Sequence, residues 1–368
     1  MKKFLNYFLI FIMIFSCSIF FSGCKEQKPE LETSKNIQNL VILIGDGMGE
    51  NHIENAKLEY DISSLEFEND YKCKVNTDSS TLLSPTDSSA SATAMATGKS
   101  VENKVVSKSG KNNLETILEY ASSKGMKTGV VTTDKLSGAT PACFSSHAKS
   151  RSDTLEILKG QTTSKIDLFI GSASETYRSN ASLFRENGYL VVENLTDLEQ
   201  TEKGTKVVAT LENINSIYNT NLSGQTDFSE IVDFAMNFLE NENGFVLMVE
   251  CAHIDKFSHD KQLMPALAEV RTLFDTANKL YAFDKAHGGN TAIIITADHE
   301  TGKLAKADTK ENLEKYNNSY YKKSGHTRTD VNLYVHNVKF GENTSKVKNT
   351  FVHTISKFVV DKITSNKE

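Results

Sequence analysis

Carboxylates and imidazoles that could share a metal ion occur in four places along this chain. Asp255 and His259 stand four residues apart, so a helix would carry both on one face. Asp298 and His299 are adjacent and need an irregular turn to converge on one point. Asp46 lies between Gly45 and Gly47, Glu250 shortly precedes Asp255, and His326 follows Gly325. Imidazole with carboxylate suits Zn²⁺, while carboxylate with hydroxyl and water suits Mg²⁺. A candidate nucleophile accompanies them in the hydroxyl-rich run from Ser84 to Gly98. There Pro85 favours an extended entry, Asp87 or Ser88 can cap the next turn of backbone, Ala90 to Ala96 can be helical, and Gly98 suits the exit. A serine at a helix start meets free N–H groups and the positive end of the dipole, which favour an anion such as phosphate. Taken singly, these residues have plainer readings: Ser88 as a cap, Asp46 as a turn former, Arg151 as a solvated side chain.

The elements that would gather them are buried strands. Asn39–Ile44 is a continuous β-branched apolar run that leads straight into Gly45-Asp46-Gly47-Met48-Gly49. A helix predicted over Asn112–Ser123 precedes a second run, Gly129–Thr133, beyond which lie Thr140 and Arg151. The amphipathic segment Phe228–Leu239 precedes a third, Phe245–Val249, and a helix from Pro265 to Phe283 precedes a fourth, Ala292–Thr296. Strand and helix in alternation predict an α/β fold, doubly wound, with a mostly parallel central sheet and helices on both faces. Ligands in such folds sit at the carboxyl ends of the strands, which is where the chemical residues fall. Residues 38–368 are expected to form one domain, with Val331–Val335 as a final edge strand and Phe351–Ile363 as a closing helix. The middle, 152–226, offers only short strands and no metal-type cluster.

A chain of 368 residues, 39% of them hydrophobic, can build a large core and is not disordered. The first 23 residues carry Lys2 and Lys3, an apolar run from Phe8 to Phe21, and small residues before Cys24. That pattern resembles a bacterial lipoprotein signal with Cys24 as the lipidated residue; an uncleaved anchor or an ordinary secretory signal is the alternative. Each places the folded part outside the cytoplasm, with the lipid form anchored to the outer face of the membrane. Residues 24–37 are polar and predict a flexible tether. The net charge is −6, and losing the signal removes lysines but no acids, so nothing recruits nucleic acid. Cys73, Cys143 and Cys251 show no paired spacing and are expected to be buried free thiols.

The runs Ile44-Gly45-Asp46-Gly47-Met48-Gly49, Thr86 through Ala94, Glu250 through His259, Thr296-Ala297-Asp298-His299 and Gly325-His326-Thr327 resemble bacterial alkaline phosphatases in sequence and order. The resemblance implies hydrolysis of phosphate monoesters through a phosphoserine on Ser88, with Arg151 binding the phosphoryl oxygens. It also implies two Zn²⁺ and one Mg²⁺. One zinc would take Asp255, His259 and His326, and the second Asp46, Asp298 and His299. Magnesium would take Asp46, Thr140 and Glu250. Asp87 and Lys256 are expected beside the substrate, Lys256 reaching phosphate through water. One departure concerns the third site: the family has aspartate or histidine two residues before the threonine, and this chain has Gly138. The chain is also shorter than typical members between Arg151 and Glu250, which puts the homodimer interface in question.

Two other readings remain open. A phosphodiesterase of the same superfamily would lack the arginine that clamps a monoester. A non-catalytic surface lipoprotein that binds phosphate or metal would need the ligands but neither Ser88 nor Arg151. A sulfatase is disfavoured, because Ser89, Ala90, Ser91 and Ala92 supply neither the proline nor the arginine that its modified residue requires.

Overall fold

The computed structural model describes residues 30–33, 36–212, 214, 227–341 and 344–365. The signal-like segment and Cys24 lie outside the described residues. The chain begins its core with β1 (Asn39–Gly45), every residue of which is buried, followed by α1 (Glu50–Glu59) and β2 (Tyr71–Asn76). Next come α2 (Ser88–Thr97), α3 (Ile117–Ser123), β3 (Lys127–Thr132) and α4 (Ala139–Ser145). The middle supplies β4 (Leu168–Ser172), β5 (Tyr189–Val192) and β6 (Lys206–Leu211). To these the chain adds α5 (Phe228–Leu239), β7 (Phe245–Cys251), α6 (His253–His259), α7 (Leu263–Ala286) and β8 (Thr291–Thr296). It closes with β9 (Val331–His336), β10 (Lys346–Lys348) and α8 (Thr350–Ser365).

Ten strands form one sheet in the order β10-β2-β9-β8-β1-β7-β3-β4-β6-β5. All run parallel except β9, which is antiparallel to both β8 and β2. The expected α/β architecture is therefore present. The central strands are apolar along their whole length because helices cover both faces; Val41, Ile42, Met248 and Ile294 are fully buried. Each such side chain contributes about 1.5–3 kcal/mol of burial energy.

Three expectations need correction. Val331–His336 is not at an edge, since β2 and β10 lie beyond it; the alternating Lys72-Cys73-Lys74-Val75 of β2 is the pattern of a half-buried strand that the reading by continuous apolar runs passed over. Asn112–Asn113 forms a small hairpin with Lys108–Ser109, and the helix starts only at Ile117, where Thr116 and Glu119 make a reciprocal capping box. The folded unit starts at Leu31, not at residue 38: Leu31–Glu32 pairs antiparallel with Lys339–Phe340, and Ile37 is buried. That strand is too short to show periodicity. Cys73, Cys143 and Cys251 are free and buried, as expected.

Candidate active site and metal centre

Register brings the chemical residues level. Ile44 of β1 lies opposite both Glu250 of β7 and Thr296 of β8, and Glu250 lies opposite Thr132 of β3. Four parallel strands thus end in one plane, and the residues just beyond them enter one crevice. Gly47 makes the first turn possible. It adopts φ +75°, and a Cβ there would lie 2.8 Å from the Asp255 backbone. Its N–H donates to Asp298 Oδ1 at 3.0 Å, which fixes that carboxylate beside Asp46.

Asp46, Asp298 and His299 converge, and Asp255 and His326 converge with the same His299. His299 Nε2 lies 3.5 Å from Asp46 Oδ1 and 3.2 Å from Asp298 Oδ2. Neither Asp46 Oδ1 nor Asp298 Oδ2 has a hydrogen-bond partner. Asp255 Oδ1 lies 3.4 Å from His259 Nε2 and 3.5 Å from His326 Nε2, and those two nitrogens are 3.0 Å apart. His259 Nδ1–H donates to the Ser324 carbonyl at 2.6 Å, and His326 Nδ1–H to the Thr86 carbonyl at 2.8 Å. Both rings therefore turn Nε2 lone pairs toward each other and toward a carboxylate, an arrangement that a divalent cation satisfies and a single proton does not. The donor set fits two such ions.

Thr301, which sequence reasoning passed over, couples the two groups. Its hydroxyl donates to Asp255 Oδ1 at 2.5 Å and accepts from His299 Nδ1 at 3.2 Å, leaving His299 Nε2 bare. Burial and mutual repulsion disfavour charge on these carboxylates. Burial, then Asp298, Asp255 and Glu250, push Asp46 well above the usual carboxylate range. Burial chiefly raises Asp298 to about 8 and Glu250 to about 7. His299 is pushed well below the usual imidazole range, first by burial and then by His326.

The nucleophile candidate starts α2, whose ten residues are all buried. Small side chains let this helix pass close under its neighbours, and Gly98 at φ +70° ends it. Most of its hydroxyls are bound in place: Ser89 donates to Asp87, Ser91 to the Asp298 carbonyl at 2.6 Å, and Thr97 to the Thr93 carbonyl. Ser88 differs. Its Oγ has only long contacts, 3.3 Å to His299 Nε2 and 3.4 Å to an Arg151 guanidinium nitrogen.

Asp87 was expected near substrate, but both its oxygens are committed. Oδ1 caps α2 through Ala90 N, while Oδ2 accepts from Ser89, from the Lys104 backbone and from Arg151 at 3.3 Å. It thereby holds the Arg151 guanidinium from one side. Lys256 is paired with Asp134 at 2.5 Å. Glu250 is close to both Asp46 and Thr140; Thr132 donates to Glu250, and the fully buried Thr140 hydroxyl faces the same carboxylate. A cleft of about 590 Å³ lined by Glu119, His147 and Lys165 contains none of these groups, so cavity size does not locate the site.

The sequence profile of the alkaline phosphatase family matches residues 37–170 and 172–360. Alkaline phosphatase 4 of Bacillus subtilis is 29% identical over 311 residues, 77% of this chain and 66% of that protein, so the chain spans just under two thirds of that relative. Alkaline phosphatase of Escherichia coli K12 is 26% identical over 351 residues, 76% of this chain and 73% of that protein. Among solved structures, alkaline phosphatase from the Antarctic bacterium TAB5 superposes with a TM-score of 0.76 at 26% identity, covering 89% of this chain and 99% of that one. The Thermus thermophilus enzyme shares the fold with a TM-score of 0.73 at 16% identity. With profile, fold and crevice in agreement, this chain belongs to the alkaline phosphatase family.

Proposed function

We propose that the protein hydrolyses phosphate monoesters, with Ser88 as nucleophile and Arg151 as the phosphoryl clamp. The observation that carries this reading is the Ser88 hydroxyl at a helix N-terminus, 3.3 Å from His299 Nε2 and 3.4 Å from the Arg151 guanidinium. Asp255, His259 and His326 would hold one Zn²⁺, and Asp46, Asp298 and His299 the other. Asp46, Thr140 and Glu250 would hold Mg²⁺. Family membership supports metal-dependent phosphoester chemistry, and a TAB5 variant is described with Mg bound in its M3 site. When bound, such cations supply charge that lowers the pKa of a hydroxyl and offsets the charge of phosphoryl oxygens.

The protein groups divide the rest. Arg151, held by Asp87, presents two N–H donors to two phosphoryl oxygens and aligns phosphorus over Ser88 Oγ. Ser88 Oγ forms the new P–O bond as the ester P–O bond breaks, and its proton ends on the departing alcohol. Water then attacks phosphoserine, the serine P–O bond breaks, and Ser88 regains a proton as inorganic phosphate leaves. A diester also offers two free oxygens to the arginine, but a terminal phosphoryl group carries a third and one more negative charge, which a crevice holding Arg151 and the proposed cations favours.

The Ser88→Ala variant is the test. It should lose at least about a thousandfold in turnover of an aryl phosphate while still binding phosphate, and acid quench of the wild type should trap phosphoserine. Full activity in Ser88→Ala would overturn the assignment. We also read Cys24 as the lipid site of an extracytoplasmic lipoprotein; radiolabelled palmitate incorporated by the wild type and lost in Cys24→Ala would support this.

A further inference from the structure

The helix that carries Asp255 and His259 is tied to the rest of the crevice by an imidazole outside both groups of candidate ligands. α6 has seven residues and starts at Ala252 without a side-chain cap, so neither length nor capping holds it in place. Asp255, Ser258 and His259 stand three and four positions apart and share one face of it. On that face the fully buried Ser258 hydroxyl accepts a hydrogen bond of 3.0 Å from Nε2 of His52, a fully buried residue in the first turn of α1. The direction of the bond is fixed from the other side of the ring. Gly49 N–H donates to His52 Nδ1 at 3.1 Å, and burial pushes the imidazole down to about 4, so the ring is neutral and its one proton sits on Nε2. Ser258 Oγ also lies 2.9 Å from the Tyr321 hydroxyl. Tyr321 packs over Gly302, where any Cβ would run into its ring, and Gly302 adjoins Thr301.

Building on the reading of the site as a two-cation phosphatase centre, we propose that His52 is a positioning residue of that centre: its Nε2–H, acting through Ser258, sets the rotation of α6 and so the direction in which Asp255 and His259 face the ion they share with His326. The close approach of Gly47 to the Asp255 backbone fixes one point on α6. The bond from His52 fixes a second, three residues further on, and a helix held at two points does not turn about its axis. The ring has no place among the ligands, because Gly49 and Ser258 occupy its two nitrogens. Its contacts also differ in reach. The one at Nδ1 closes the first turn of α1, whereas the one at Nε2 crosses to α6, so each can be removed without the other.

Competition for zinc with a chromophoric chelator separates them. In His52→Gln the amide NH₂ takes the place of Nε2–H and keeps the bond to Ser258, while the Gly49 contact is lost; in His52→Asn the amide oxygen takes the place of Nδ1 and keeps Gly49, while Ser258 is lost. The Kd of one zinc ion should rise roughly tenfold in His52→Asn, with the second ion, and both ions in His52→Gln, within about threefold of wild type. Ser258→Ala removes the same bond from its other end and should match His52→Asn, and the two together should do no more than either alone. A ring that only braced α1 would show the reverse: wild-type zinc affinity in His52→Asn, and a loss of stability toward urea confined to His52→Gln. The proposal is overturned if His52→Asn and Ser258→Ala hold zinc within about twofold of wild type, if His52→Gln is as weak as His52→Asn, or if the effects of His52→Asn and Ser258→Ala add. Ser258→Ala leaves His52 and its Gly49 contact in place, so it decides the matter where neither His52 variant folds. Wild-type protein that neither binds zinc nor cleaves aryl phosphate would sink the reading of the whole site; wild type that does both, beside variants of unchanged affinity, sinks only the role of His52.

Discussion

Thr301→Val tests whether one hydroxyl holds the two metal groups in register. The substitution keeps shape and burial and removes one oxygen, which donates to Asp255 Oδ1 at 2.5 Å and accepts from His299 Nδ1 at 3.2 Å. A hydrogen bond to a charged carboxylate is worth about 1.5–3 kcal/mol, and leaving the buried His299 N–H unpaired costs a further ~1–3 kcal/mol. Part of this is recovered when Asp255 turns toward His259 and His326, so about 3 kcal/mol is a reasonable net loss. Divided between fold stability and metal affinity, that leaves ~1.4–2.7 kcal/mol for the ions, a ten- to hundredfold rise in zinc Kd. Competition with a chromophoric chelator at neutral pH reads this directly, and Thr301→Ser, which keeps the oxygen, should return to within about threefold of wild type. Unchanged zinc affinity in Thr301→Val would refute the argument that this hydroxyl sets the orientation of Asp255 and His299.

Gly47 and His336 give two more tests. Gly47→Ala meets both a positive φ, costing about 1–2 kcal/mol, and the Asp255 backbone 2.8 Å from the new Cβ; chemical denaturation should show at least about 2 kcal/mol of lost stability, and none would mean the turn can relax. His336 lies between Asp284 and Asp70 at the amino-terminal end of the parallel strands; burial alone would lower it, but hydrogen bonds to Asp284 and Asp70 hold it at about 9. Its unfolded value is near ~6.5. Its contribution is therefore fully present below that pH and lost as pH rises through 9. The ring is 22% exposed, so screening reduces the effect to about 2 kcal/mol. The stability difference between wild type and His336→Gln should shrink by that amount between neutral pH and pH 10; a constant difference would show that the ring does not change charge there.

What could be read from the chain and what could not have the same physical origin. The four central strands are buried on both faces, so Asn39–Ile44 and its counterparts are near-continuous apolar runs, and their polar endings stand out. Asp46, Asp298, His299, Asp255, His259 and His326 are brought together in the crevice the strand endings define. Thr301 and Asp134 were not legible, because threonine and aspartate are ordinary in turns and only distance identifies their partners. The roles expected of Asp87 and Lys256 rested on likeness to a family, and their ion pairs with Arg151 and Asp134 could not be read from the chain. Leu31–Glu32 finds its partner more than 300 residues away in a two-residue ladder, which no pattern in a polar segment could reveal.

The level strand endings carry a consequence for assembly. A slip of one position between β1 and either neighbour would displace a donor by about 3.3 Å along the strand and turn it to the opposite face. Asp255, His259 and His326 come from one C-terminal stretch, but the set of Asp46, Asp298 and His299 cannot form in such a fragment, since Asp46 and His299 meet only across paired β1 and β8. Ion capture by that second set should therefore come late, after the central sheet has closed, and tight retention there would report correct pairing of strands that contribute no donor themselves.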